Sequence, residues 1–302
     1  MITGFCIILN DNILYCSNQE KYSLFETILF IEKLIESINP NNIWRLNNVF
    51  FKNNGKTERI VIKHIISRDN NIFYCISGQF DTHSEETYNM LEDFHTKVES
   101  SYSSIERLTQ ASEESMFKEM INVSTDLLKI KYESRLKTEE IRHKIANLNQ
   151  PLTQDNKILY CGISTQGLPI ISKLFHPEFF DYLKTNKDED IIEVFGSKLS
   201  AKLATIAMNT AIRADTRISE IHLNDLREER SKILILYGNI NGYSLDFIGS
   251  TSGNEDILYS SFLKLKQDVS EENVLQDEFG GDLAPYRHLK KYLAQLVKDL
   301  KK

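Results

Sequence analysis

One order of secondary-structure signals runs through this 302-residue chain twice. Each round opens with a short apolar hairpin, continues into a helical stretch, passes through three strand-like runs and closes on a helix. The first round starts at Gly4-Phe5-Cys6-Ile7-Ile8-Leu9 and the second at Lys157-Ile158-Leu159-Tyr160-Cys161. The residues differ between rounds, but the order does not. A repeat of this kind predicts two similar small domains, and the length suffices for two hydrophobic cores of ordinary size.

In the first round, residues 4–9 and 13–17 are strands around Asn10-Asp11-Asn12, residues that tolerate left-handed backbone. Ser23 with Glu26 three positions on reads as a capping box. Leu24, Ile28, Ile31, Leu34, Ile35 and Ile38 then recur at helical spacing until Pro40. Strands follow at 43–51, 59–67 and 72–80, and turns this short make them antiparallel. Residues 81–84 cap a helix carrying Tyr88, Leu91, Phe94 or His95, and Val98. A helical pattern resumes from Ser104 to about Leu148, with a charged face that reads as solvated; the stretch is a candidate partner helix or coiled-coil arm, and a rigid spacer is the preferred expectation.

In the second round, residues 158–164 and 168–175 pair around Gln166-Gly167, and His176-Pro177 ends the second strand. A short helix at 178–183 reads as an insertion, and a long helix spans 190–213. Strands at 218–223, 232–237 and 243–250 follow. Ile233-Leu234-Ile235-Leu236 is apolar on both faces, as in a central strand. Helices at 255–269 and 284–301 close the chain. The expected boundaries are 1–112 and 152–275 for the two domains, 113–151 for a helical connector and 276–302 for a C-terminal helix.

The order β-β-α-β-β-β-α, read twice, resembles the longin and roadblock group of domains. The matching stretches are residues 4–98 and 158–269. The nearest local likeness runs from Phe195-Gly196-Ser197-Lys198-Leu199-Ser200-Ala201 into Ile233-Leu234-Ile235-Leu236. The resemblance implies an α+β fold of two five-stranded antiparallel sheets, each covered by helices. Tandem longin proteins belong to vesicle-trafficking machinery and include paired activators of Rab-type GTPases, and roadblock relatives are dimeric platforms for Ras-like GTPases. The implied role is therefore a non-catalytic scaffold with no cofactor. It would bind a small Ras/Rab-like GTPase or a longin/roadblock subunit, as part of a nucleotide-exchange factor or another homo- or hetero-oligomer. Such sheets also occur in small-ligand sensors of PAS and profilin-like architecture, which is the alternative expectation.

In this topology the third strand lies at a sheet edge, a template for pairing with another chain. That strand holds the only tryptophan, Trp44, with Val49, Phe50 and Phe51. These four residues are the candidate partner-binding site, because aromatic side chains are enriched among interface anchors; the competing expectation is that Trp44 caps the core under the helix.

Other motifs carry less. The net charge of -7 argues against a nucleic-acid partner. Gly55-Lys56-Thr57 lacks the earlier glycine of a phosphate loop, since Phe50 stands there, and strands flank it. Asp81-Thr82-His83-Ser84-Glu85 offers metal-ligand types but reads as a helix cap. Gly249-Ser250-Thr251-Ser252-Gly253 precedes the helix cap Asn254 and reads as a loop. Cys6, Cys16, Cys75 and Cys161 have no metal or redox spacing and read as buried reduced thiols; a three-residue loop would set Cys6 and Cys16 facing each other across the first hairpin. No catalytic and no metal residues are expected. No secretory-signal pattern and no apolar run near the roughly 20 residues of a membrane span are present. The expected location is cytoplasmic, with membrane contact only peripheral or through a partner.

Overall fold

The computed structural model describes every residue except 39–42, 54, 68–69, 81–83, 147–155, 181–182, 184–187, 228–230 and 301–302. The chain divides into two units, residues 1–29 with 46–151 and residues 30–45 with 152–302.

The first unit begins with β1 (Ile2–Leu9) and β2 (Asn12–Cys16), which pair around a two-residue turn in which Asn10 adopts φ 53°. Helix α1 (Tyr22–Ile38) follows a 3-10 turn whose cap is Asn18, its side chain accepting the Glu20 amide. The expected capping box is therefore not used. Asn18 has already satisfied the end, and Ser23 lies inside the helix, where its carbonyl accepts the Thr27 hydroxyl at 3.1 Å. The expected stripe from Leu24 to Ile38 is buried.

Strands β3 (Trp44–Asn53), β4 (Lys56–Ser67) and β5 (Asn70–Gly78) come next, and β5 returns to pair with β1. The strand order is β2-β1-β5-β4-β3, antiparallel throughout. Strand β1 sorts its side chains by alternation. Phe5, Ile7 and Leu9 enter a core with the helices that follow β5. Gly4 turns the other way, where a Cβ would lie 3.4 Å from the Phe25 ring of α1.

Helix α2 (Glu85–Ser101) starts at Ser84, whose hydroxyl accepts the Thr87 amide at 3.1 Å. The single helix expected from Ser104 to Leu148 is two helices, α3 (Ile105–Ser112) and α4 (Ser115–Ala146). Leu108 and Phe117 enter the same core. Nine residues apart, they would sit about half a turn out of phase on one continuous helix, and the break at Glu113-Glu114 brings both inward.

Nor is α4 a spacer. Phe117, Ile121, Leu128 and Tyr132 are buried in the core with α2 and β1. The Tyr132 hydroxyl donates to Asp93 of α2 at 2.8 Å, and Lys131 pairs with the same carboxylate at 2.5 Å. Glu139 reaches the start of α2, where its carboxylate accepts the Glu85 amide at 2.6 Å, the Glu86 amide at 3.2 Å and the Ser84 hydroxyl. A negative group at a helix N-terminus meets unsatisfied N–H groups and the positive dipole end. The stretch expected as a connector thus belongs to the first unit.

The second unit repeats the plan. Strands β6 (Asn156–Thr165) and β7 (Leu168–Leu174) pair around Gln166-Gly167, with φ 47° and 82°. Of the insertion expected at 178–183, a 3-10 turn Pro177–Phe179 is described, while 181–182 lie outside the described residues. Helix α5 (Glu189–Ala214) is capped by Asp188. Strands β8 (Arg217–Asp225), β9 (Lys232–Ile240) and β10 (Tyr243–Thr251) complete the order β7-β6-β10-β9-β8. Asn241-Gly242 turns the last hairpin with φ 48° and 92°, a left-handed pair that glycine permits without strain. Ile233-Leu234-Ile235-Leu236 is fully buried between β8 and β10, as a central strand should be.

Helices α6 (Asp256–Ser270) and α7 (Lys290–Leu300) cover one face of this sheet. Leu258, Phe262 and Leu265 join Leu289, Leu293, Leu296, Cys161, Ile163 and Phe247 in one core. The helix expected from 284 is a 3-10 segment, Ala284–Leu289, followed by α7; this C-terminal stretch has no counterpart in the repeat and is fastened further by a 2.8 Å contact between the Tyr243 and Tyr286 hydroxyls. Gly162 points to the opposite face, toward α5. Among the described residues no helix is long and apolar enough to cross a membrane.

Candidate functional site

The four residues expected to bind a partner are inside the protein. Trp44 is 1% exposed, Val49 0%, Phe50 5% and Phe51 1%. Three consecutive buried residues mean that both faces of β3 are covered, and that corrects the expectation of an outward aromatic edge. In the second unit, Trp44 packs edge-to-face against Phe180 with centroids 6.3 Å apart, and Phe180 packs on Phe195 of α5. The Leu226 amide donates to the Ile43 carbonyl at 2.9 Å. Burial alone would raise the Asp225 carboxyl; hydrogen bonds from Arg227, with a smaller one from the Trp44 indole, outweigh it and hold the group below the usual range. In the first unit, Phe50 lies beneath the buried Arg59 guanidinium, 5.5 Å from its ring centre, and Arg59 donates to Asn48 Oδ1 at 2.8 Å and to the Tyr88 hydroxyl at 3.0 Å. Sequence alternation cannot reveal that a strand is covered twice, and an aromatic strand reads the same either way.

Polar groups converge elsewhere, under α5 in the second unit. Cross-strand register sets Tyr237, Asp246, Gly162 and Ser172 in one row over β9, β10, β6 and β7. Tyr160 and Ser164 flank Gly162 on the same face, and Ser200 descends from α5. The glycine is required. A Cβ at Gly162 would lie 2.1 Å from the Tyr160 hydroxyl and 3.3 Å from Ser200 Oγ.

Ser244 donates to Asp246 Oδ1 at 2.9 Å. The Tyr160, Tyr237, Ser164 and Ser200 hydroxyls and Asp246 Oδ2 are buried, and none makes a hydrogen bond of full geometry among the described residues. Burial pushes the Asp246 carboxyl up to about 7, against the pull of Ser244 and Ser164. Such a group exchanges a proton near neutrality. It is 0% exposed. One signal was readable: Tyr160, Gly162 and Ser164 alternate with apolar residues. The partner Asp246 was not, because register between distant strands is not written locally.

A second row crosses β2, β1 and β5: Cys16 opposes Cys6, and Cys6 opposes Cys75. All four cysteines are free thiols. A hydrogen bond from Cys6 brings the half-buried Cys16 thiol down to about 7 against the effect of burial, and burial raises Cys6 and Cys75.

The remaining motifs resolve structurally. Gly55 has φ 78° in a hairpin turn between β3 and β4, so no phosphate loop exists there. Asp81, Thr82 and His83 lie outside the described residues, and Ser84 caps α2. Thr251 ends β10 and accepts the Gly253 amide, while Asn254 accepts the Asp256 amide at 2.8 Å. Among the described residues no group of three or more His, Cys, Asp or Glu side chains is placed to hold a metal ion. An open cleft of about 440 Å³ in the first unit is lined by Met1, Ile2, Phe80, Glu133, Leu136 and Lys137 among others. Ser84 and Glu139 also line it, and both are engaged at the N-terminus of α2, Ser84 accepting the Thr87 amide and Glu139 the Glu85 and Glu86 amides.

Comparison of the sequence with protein-family models and with curated proteins finds no match.

Proposed function

We propose that the chain is a tandem longin/roadblock-like scaffold that binds a small Ras/Rab-like GTPase, or another subunit of longin/roadblock type, in membrane-traffic regulation. The observation that carries this reading is the strand order. Both units run second-first-fifth-fourth-third, with a helix between the second and third strands and another after the fifth. Antiparallel α+β folds host many functions, so the step to a GTPase rests on fold-level analogy. In this role no residue breaks a bond. The scaffold acts by holding one nucleotide state of its partner more tightly than another, and an exchange factor would favour the nucleotide-free state.

The test is affinity capture on the full chain from the cell that makes it, run with nucleotide stripped and with a GTP analogue. Enrichment of a Ras-like protein in one arm only is the expected result. Equal recovery in both arms, or none, rejects the GTPase reading.

The small-ligand sensor reading has one observation in its favour, the polar groups gathered under α5. A metabolite screen by thermal shift separates the two. Stabilisation abolished by Ser200→Ala and Asp246→Asn would reverse the ranking.

A further inference from the structure

Helix α4 is apolar on two sides, and only one faces the core. Met116, Met120, Val123, Leu127 and Ile130 are 64%, 47%, 61%, 55% and 75% exposed. Their spacing alternates four and three residues, so they form one straight seam about 21 Å long on the outer side of the helix. Single exposed apolar residues are ordinary, but a contiguous row of five large ones marks an interaction surface.

Charge selects the occupant. Glu119, Asp126 and Glu133 are exposed and follow the seam one heptad apart along one flank, with Asp126 also 3.5 Å from Lys129. On the other flank stand Ser124 and Lys131, and Lys131 is tied to Asp93 at 2.5 Å. A second copy laid antiparallel would set one acidic row against the other. Laid parallel, it would offer each acidic row one cation already in use. An anionic lipid surface is repelled by the same row.

We propose that this face of α4 docks an amphipathic helix of another protein, one whose apolar seam is flanked by Lys or Arg, through a two-helix knobs-into-holes contact. The inference stands independently of the GTPase reading, since it concerns neither sheet.

The test uses the full chain and two labelled 21-residue synthetic helices with Leu and Ile in the seam, one flanked by Lys and the other by Glu, followed by fluorescence anisotropy. The Lys-flanked helix is expected to bind at least about tenfold tighter than the other, and more weakly as salt rises. Leu127→Asp with Ile130→Asp should cost at least about tenfold. Glu119→Lys with Asp126→Lys and Glu133→Lys should invert the preference between the two helices, and because these side chains are exposed, that variant remains informative if the seam variant fails to fold. Binding that survives the seam variant in a folded chain overturns the proposal, as does equal affinity for both helices, or none. Two other occupants would also overturn it: self-association in sedimentation, or flotation with phosphatidylserine vesicles, either one lost in the seam variant.

Discussion

Asp246 and Glu32 place two carboxyls in the second unit that titrate far from their ordinary range. Burial raises Asp246 to about 7. Glu32 is raised to about 7 by burial first and Glu36 second, against Arg45. In both cases the folded value lies above the unfolded one, so the native chain keeps protons that the unfolded chain releases. That contribution is complete below about pH 4 and is lost as pH rises through about 7. The melting temperature should therefore fall between pH 5 and 8. Asp246→Asn should flatten the fall, with a change of a few degrees readable by calorimetry at matched ionic strength. A variant with the wild-type slope would mean that Asp246 ionises without cost. Trp44 makes a second residue-level case. Since its indole is buried against Phe180, Trp44→Ala should destabilise the chain by about 3–5 kcal/mol in a urea titration. A loss under about 1 kcal/mol would put the side chain outside the core.

Among the elements, α4 shows how local reading and tertiary packing part. Its helical character was legible from spacing, as were α1, α2, α5 and α6 and the ladder of β-strands between tight turns. Its job was not. A helix with apolar residues on two sides and charges between them reads as solvated until a neighbour is known, and the carboxylate that caps α2 lies 54 residues away from the Glu85 amide it accepts. Glu139→Ala should lower stability by about 1 kcal/mol and speed hydrogen exchange at Glu85, Glu86 and Thr87, as expected for a lost N-terminal cap. Unchanged exchange at those amides would show that Ser84 suffices alone. The Asp246 row was half legible: small and polar residues on one face of β6 hinted at a polar layer, but the register that completes it joins strands more than 70 residues apart in sequence. The break between α3 and α4 went unread because no proline or glycine marks it; only the shared burial of Leu108 and Phe117 requires it.

At the scale of the whole molecule, the repeat was readable and the partition was not. The second unit includes residues 30–45, which precede it by more than a hundred residues. Phe30 lies 4.9 Å from the Arg213 guanidinium, and Trp44 fills space beside Phe180. Residues 152–302 expressed alone should therefore melt at a lower temperature than the same unit in the full chain, and a synthetic 30–45 peptide added in excess should raise that temperature by mass action. An isolated fragment as stable as the full chain would show that the segment is dispensable.

The Leu226 amide meets the Ile43 carbonyl across about 180 intervening residues, a stretch that takes on the order of 10–40 s to synthesise at roughly 5–20 residues per second. During that interval a nascent chain on the ribosome carries Phe30 and Trp44 without their native neighbours, a window in which chaperones and neighbouring polysomes compete for them.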